Sequence, residues 1–175
     1  ALARHGDYSG IPALVALNQK AVQGLEPERG KAAMAFLAGE GGEYLSDREA
    51  KGMRLIRLRR QIADALAKID RPESAEALAT MLGDPEPSVR TAAAYALARM
   101  TDPTAAAGLS RAVGVDYGSI GERSRNPVVH AHVARWSAAN HPDQDATKTT
   151  LTTAGESPFA SVQFLALCAA DELAD

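Results

Sequence analysis

The amino-acid sequence predicts an all-α fold in which about four to five antiparallel helix pairs stack into a superhelix. Three observations support this prediction: a short motif recurs along the chain, apolar residues follow the helical period, and aromatic residues make up only 5% while alanine is frequent. Alanine favours helices and their close packing, whereas sheets favour β-branched and aromatic side chains. We therefore expect helices along the whole chain.

The recurring motif is Ala-Leu-Ala followed by a basic residue, with a second leucine twelve positions after the first. It occurs at residues 1–4, 65–68 and 96–99. The last two copies are 31 residues apart and the first two are 64 apart, which indicates one clean period and one period that carries an inserted helix. A fourth copy is indicated where residues 161–163 (Ser-Val-Gln) align with residues 88–90 (Ser-Val-Arg).

The central repeat is predicted to be a helix, a short turn and a second helix. Pro72 opens a first helix that runs to about Leu82, and Pro87 opens a second that runs to about Met100. Apolar residues of the second helix, at positions 89, 92, 93, 96, 97 and 100, fall at steps of three and four and predict one buried stripe. Because one such pair cannot bury its own apolar face, each pair should depend on its neighbours.

The central repeat resembles the HEAT repeat, in the variety named after phycobilisome lyases. The resemblance lies in the turn that begins at Asp84-Pro85, in Arg90 and the alanines that follow it, and in Asp102-Pro103. It implies a superhelix of the HEAT or armadillo type. In that family the turn Asp and the Arg of the second helix commonly bond between repeats, which by resemblance points to Asp84 and Arg90, with Arg59 as the counterpart of Arg90 one repeat earlier.

We expect one HEAT-repeat domain over residues 1–175, as part of a longer repeat protein, because the chain opens at Ala1 in what looks like a helix end. The repeat pattern is irregular at about residues 24–52 and 114–126. The second segment, rich in glycine and charge, is predicted to project as a loop. Both segments are candidates for recognition elements or for tolerated insertions.

The first irregular segment still carries helical signals. Pro27 is predicted to start a helix that runs to about Ala38, followed by a flexible break over residues 39–42. A helical pattern then continues from Asp47 to Ile69.

Composition argues against a membrane protein and against a chain whose main task is to grip nucleic acid. The net charge is −3, whereas phosphate binding requires a basic surface. No run approaches the roughly 18 apolar residues of a membrane span. The single cysteine, Cys168, lies in an apolar run, and we expect it to be a small buried side chain in a reducing compartment, with the protein in the cytoplasm.

No residue pattern predicts catalysis, a metal or a cofactor. His130 and His132 are two residues apart, which places them on different faces of a helix, whereas ligands on one face are three or four apart. The carboxylates show no pairing for acid-base chemistry, and no nucleophile motif or phosphate-binding glycine loop is present. We therefore expect no enzymatic activity.

The densest basic cluster is Arg54, Arg57, Arg59 and Arg60, with Lys51 nearby. Nucleic-acid binding through this helix, as in DNA glycosylases built from HEAT repeats, is one alternative function, and an ordinary solvated face is the competing interpretation. Arg59 is the exception within the cluster, because its match to Arg90 implies a structural role.

The leading hypothesis is an interaction scaffold that binds a protein or peptide on the concave face of the superhelix, which the outward positions of the second helices line. Aromatic and arginine residues at such positions are typical of interface hot spots, although Trp136 could instead fill core space. A further alternative is a tetrapyrrole-binding subunit similar to the bilin lyases, which a change in visible absorbance on mixing with bilin would reveal. The predicted partner-binding residues are Arg60, Asp64, Lys68, Thr91, Tyr95, Arg99, Arg135 and Trp136.

Overall fold

The computed structural model describes residues 8–37, 42–115 and 127–173, and over these residues it contains helices and no strand. This confirms the all-α fold class. Eight helices lie in the described part of the chain: α1 (Gly10–Leu37), α2 (Gly42–Ile69), α3 (Pro72–Met81), α4 (Pro87–Arg99), α5 (Ala105–Ala112), α6 (Pro127–Asn140), α7 (Asp145–Gly155) and α8 (Ala160–Glu172).

The chain divides into two compact units, the first ending at Ile62 and the second beginning at Ala63. The boundary falls within α2, so the last seven residues of that helix belong to the second unit. Whether the whole chain forms one domain stays a prediction.

The first unit contains α1 and the first part of α2. Gly24 of α1 lies against Leu55 of α2, where an added Cβ would be 3.5 Å from the leucine Cδ1. The prediction that a helix starts at Pro27 is wrong, because α1 runs through this residue. A proline in a helix interior removes one backbone hydrogen bond and crowds the carbonyl four residues earlier, which can kink a helix without ending it.

The boundaries of the first irregular segment agree in part with the sequence. The helix ends at Leu37, one residue before its predicted end. Residues 39–41 of the predicted break lie outside the described residues, as do residues 116–126 of the predicted loop, while Gly42, the last residue of the predicted break, is helical. The second helix begins at Gly42, five residues earlier than its predicted start at Asp47.

The second unit is a two-layer stack of helix pairs. The first helices of the pairs, α3, α5 and α7, contact each other in sequence, and so do the second helices α4, α6 and α8. Each first helix also packs on the second helix of its own pair. The predicted starts at Pro72 and Pro87 are confirmed, with a proline in the first turn of α3 and of α4.

The core of this unit uses alanine where neighbouring helices approach. Most of the predicted stripe of α4 is fully buried, and only Ala92 is half-buried. The sequence pattern missed Ala94 and Ala98, which are buried as well. Gly108 of α5 lies so close to α4 that an added Cβ would be 2.9 Å from Leu97 Cδ2.

Two features bear on the predicted location and redox state. No helix among residues 8–37, 42–115 and 127–173 is long and apolar enough to cross a membrane. Cys168 is a free thiol and is half-buried, so the side chain is less buried than expected. The alignment of residue 161 with residue 88 places Cys168 at the position of Tyr95, which is likewise half-buried.

Candidate partner-binding surface on the second helices

Most of the predicted partner-binding residues lie on α4, on α6 and on the last seven residues of α2, which the 31-residue repeat makes equivalent to the end of the second helix α4. Residues four apart on a helix share a face, which groups Asp64 with Lys68 on α2 and Tyr95 with Arg99 on α4. Arg60 belongs to the first unit and is exposed there. We call the remaining residues the second-helix wall; they are Asp64, Lys68, Thr91, Tyr95, Arg99, Arg135 and Trp136.

Two wall residues from successive second helices bind each other. Arg99 Nη2 donates to Asp64 Oδ1 at 2.5 Å, and both side chains are about half exposed. Asp64 is the counterpart of Tyr95 in the 31-residue repeat, so the ion pair joins positions one helical turn apart on neighbouring copies. The structure therefore brings Asp64 and Arg99 together and neutralises both.

A second contact extends the wall from α4 to α6. The rings of Tyr95 and His132 pack edge to face, with centroids 5.9 Å apart and an angle of 64° between their planes. Sequence reasoning considered His132 only as a metal ligand and did not place it on this surface. Its spacing of four from Trp136 was the signal that it shares the exposed face of α6.

The other wall residues differ in what their polar groups do. The Thr91 hydroxyl donates to the Pro87 carbonyl at 3.0 Å, so its hydrogen bond is used within α4. Lys68 and Arg135 are exposed and form no ion pair within the described part of the chain. Trp136 is 37% exposed, so part of its indole ring is packed and part is open to solvent.

The two histidines at the start of α6 point to different environments, as their spacing predicts. His130 is buried and its Nε2–H donates to the Val115 carbonyl at 3.0 Å, whereas His132 is exposed. Over the residues that the structure describes, no group of three His, Cys, Asp or Glu side chains could hold a metal ion.

An aspartate that the sequence did not single out joins successive repeats. The Asp70 carboxylate accepts hydrogen bonds from the backbone N–H groups of Thr101 at 2.9 Å and Asp102 at 3.1 Å. It also accepts one from the Thr101 hydroxyl at 2.5 Å. Asp70 has a φ of 53°, a left-handed conformation that Asp tolerates better than most residues. The sequence position of Asp70 could have indicated this contact, because Asp70 and Thr101 are equivalent in the 31-residue repeat.

A histidine lies beside this junction. His141 is buried, and its Nε2 has no hydrogen-bond partner among the described residues. Burial lowers its pKa below the usual 6.5, partly opposed by a hydrogen bond to the Met100 backbone and by the carboxylates of Asp70 and Asp102. The neutral imidazole is therefore favoured in the folded state.

Of the three residues with a predicted structural role, Asp84 and Arg59 are buried and Arg90 is half-buried. Asp84 is 6% exposed, and its carboxylate accepts the Glu86 N–H at 2.8 Å. Arg90 Nη1 donates to the Asp84 carbonyl at 2.6 Å. Arg59 is 0% exposed. Bonds of these side chains between repeats stay a prediction, and the burial of Arg59 keeps it away from a partner in solution.

The basic cluster of the first unit separates into exposed and buried members. Lys51, Arg54, Arg57 and Arg60 are exposed, in contrast to Arg59. Each member is a neighbour of the next on α2, three residues away, but the series turns around the helix, so that Lys51 and Arg60 lie on opposite sides.

The comparison with known families supports the repeat architecture. Residues 56–124 match the family model for HEAT repeats. No curated protein and no solved structure shows a significant match. The matched segment includes α3, α4 and α5, and therefore Tyr95 and Arg99 of the second-helix wall. The segment over residues 56–124 is therefore similar to HEAT repeats.

Proposed function

We propose that this protein is a non-catalytic scaffold that binds a protein or peptide along the second-helix wall. HEAT repeats commonly act as protein-interaction scaffolds, and stacked helix pairs offer an extended surface for binding. The observation that carries the proposal is that side-chain contacts link one second helix to the next. Side chains of three successive second helices contact each other on an accessible surface, from Asp64 to Arg99 and from Tyr95 to His132.

The residue types on this surface suit an interface. Tyr, Trp and Arg dominate interface hot spots, because they combine a large contact area with a polar group. Tyr95 is half-buried and Trp136 is 37% exposed, so each ring has area left for a partner to cover. Both rings are also supported by packing, which lowers the entropy lost when a partner fixes them.

Selection from a random library of twelve-residue peptides displayed on phage tests the proposal. A selected peptide, labelled for fluorescence anisotropy, should bind Tyr95→Ala and Trp136→Ala at least about tenfold more weakly than wild type, as expected of hot-spot residues. Tyr8→Ala is the matched control, since Tyr8 is 36% exposed in the first unit. Equal affinity for wild type and both wall variants would refute the choice of surface.

A second candidate function is nucleic-acid binding by the first unit, favoured by the exposure of Arg54, Arg57 and Arg60 on α2, where Arg54 and Arg57 are neighbours on one face. Affinity for duplex DNA should then fall steeply with salt and fall again in the double variant Arg54→Ala, Arg57→Ala. Absence of binding at low salt would eliminate this candidate.

A further inference from the structure

The second-helix wall is unequal in charge. α4 and α6 contain no aspartate or glutamate, and the last seven residues of α2 contain only Asp64. Arg99 neutralises that carboxylate. The exposed charges left without a counter-ion in the described structure of the wall are therefore the cations of Lys68 and Arg135, although the whole chain has a net charge of −3.

The repeat register sets how far apart these two cations lie. Lys68 is on α2 and Arg135 is on α6, with α4 between them. Packed helix axes are about 8–10 Å apart, so the two cations are separated by roughly 20 Å. An extended chain rises about 3.3 Å per residue and would cross that span in about six residues.

Aromatic surface lies along the same span. The Tyr95 and His132 rings contact each other where α4 meets α6, and Trp136 is one turn from His132. A segment that crosses from Lys68 to Arg135 would therefore pass over these rings.

We infer that the partner is an acidic peptide segment, an inference that rests on the function proposed above. The segment crosses the second helices in an extended conformation, with two carboxylates about six residues apart. One carboxylate pairs with Lys68 and the other with Arg135. An apolar or aromatic residue between them packs on the rings of Tyr95, His132 and Trp136. A phosphate backbone fits this wall less well, because its dense charge would meet only two unpaired cations.

The peptide library described above provides the first test. Selected sequences should be enriched in Asp and Glu on both sides of an aromatic or aliphatic residue. Enrichment of neutral or basic sequences would overturn the inference. Single-stranded DNA that binds with the same dependence on Lys68 and Arg135, in place of acidic peptides, would overturn it in favour of a phosphate-backbone partner.

The second test uses one selected acidic peptide and a version in which every Asp and Glu is replaced by Asn and Gln. The amide version should bind wild type at least about tenfold more weakly. Lys68→Ala and Arg135→Ala should each weaken the acidic peptide about two- to fivefold and leave the amide version unchanged. Raising the salt concentration should reduce the difference between the two peptides.

Matched controls separate local charge from net charge. Lys148 on α7 and Arg111 on α5 are exposed cations on first helices, and Lys148→Ala and Arg111→Ala should leave affinity for the acidic peptide within about twofold of wild type. Equal weakening in all four variants would overturn the inference, because it would reflect net charge alone.

The outcomes also distinguish a failure of this inference from a failure of the proposed scaffold function on which it rests. If Tyr95→Ala and Trp136→Ala weaken binding but the amide peptide binds as well as the acidic one, the scaffold function stands and the inference is wrong. If no selected peptide depends on either ring, the proposed function fails and the inference fails with it.

Discussion

Helices α4 and α8 are the second helices of two different repeats, and their equivalent residues differ greatly in burial. The alignment of residue 88 with residue 161 makes Leu167 the counterpart of Ala94 and Asp171 the counterpart of Ala98. Ala94 and Ala98 are 0% and 1% exposed, whereas Leu167 is 68% exposed and Asp171 is exposed too.

The difference comes from the neighbours of each helix. The pair that follows α4, formed by α5 and α6, covers it, while the contacts of α8 are with α6 and α7. The burial of a second helix in this unit is therefore set mainly by the next helix pair. In such a stack stability is approximately a sum of terms for each repeat and each interface between neighbours, so substitutions should cost more in α4 than in α8.

The largest expected difference in stability is between leucine substitutions in α4 and in α8. Leu97→Ala should lower the free energy of unfolding by about 2–5 kcal/mol, because Leu97 is fully buried and its removal leaves a cavity against Gly108. Leu167→Ala should change stability by less than about 0.5 kcal/mol. Urea unfolding followed by circular dichroism measures both, and similar losses in the two variants would contradict the comparison.

The next largest difference in stability is expected between substitutions of Asp70 and of Asp171. Asp70→Ala removes the acceptor of two backbone N–H groups and the Thr101 hydroxyl, and should cost about 1–3 kcal/mol in urea unfolding. Asp70→Asn should cost less, because its amide oxygen still accepts hydrogen bonds and Asn tolerates a positive φ. Asp171→Ala, at an exposed site, should have little effect. If Asp70→Ala were as stable as Asp171→Ala, the junction would not contribute to stability.

The smallest expected effect is a pH dependence at the same junction. Burial holds the pKa of His141 below 6.5 in the folded state, so the unfolded chain binds more protons and stability should fall as the pH drops below about 6.5. His141→Gln should flatten the dependence of the urea midpoint between pH 7.5 and 5.5. His132→Gln, at an exposed position, is the control and should retain the wild-type slope. A wild-type slope in His141→Gln would show that another group is responsible.

Local signals in the sequence predicted the helix pairs of the second unit well. Prolines that open α3 and α4 were sufficient to place both helices, because a proline fixes φ and fits the first turn. The same residue type misled at Pro27, which α1 passes through. The periodic pattern also missed Ala94, since a single apolar stripe describes one face and α4 is covered on more than one.

The contacts that build the wall could not be predicted in the same way. The Asp64–Arg99 ion pair and the Tyr95–His132 contact depend on how far one helix is displaced along its neighbour. The repeat predicts that equivalent residues of neighbouring helices lie side by side. It does not specify which side chain of one helix contacts a side chain one turn further along the next helix. Exposed positions were therefore predictable, while their partners were not.

The central claim, that a partner lies on the second-helix wall, can be tested with the one tryptophan of the chain, Trp136. Acrylamide quenching of its fluorescence should fall markedly when a selected peptide that lacks tryptophan saturates the protein, because the peptide covers the part of the indole that is exposed. Quenching that stays unchanged at saturation, with binding established by anisotropy, would contradict the account.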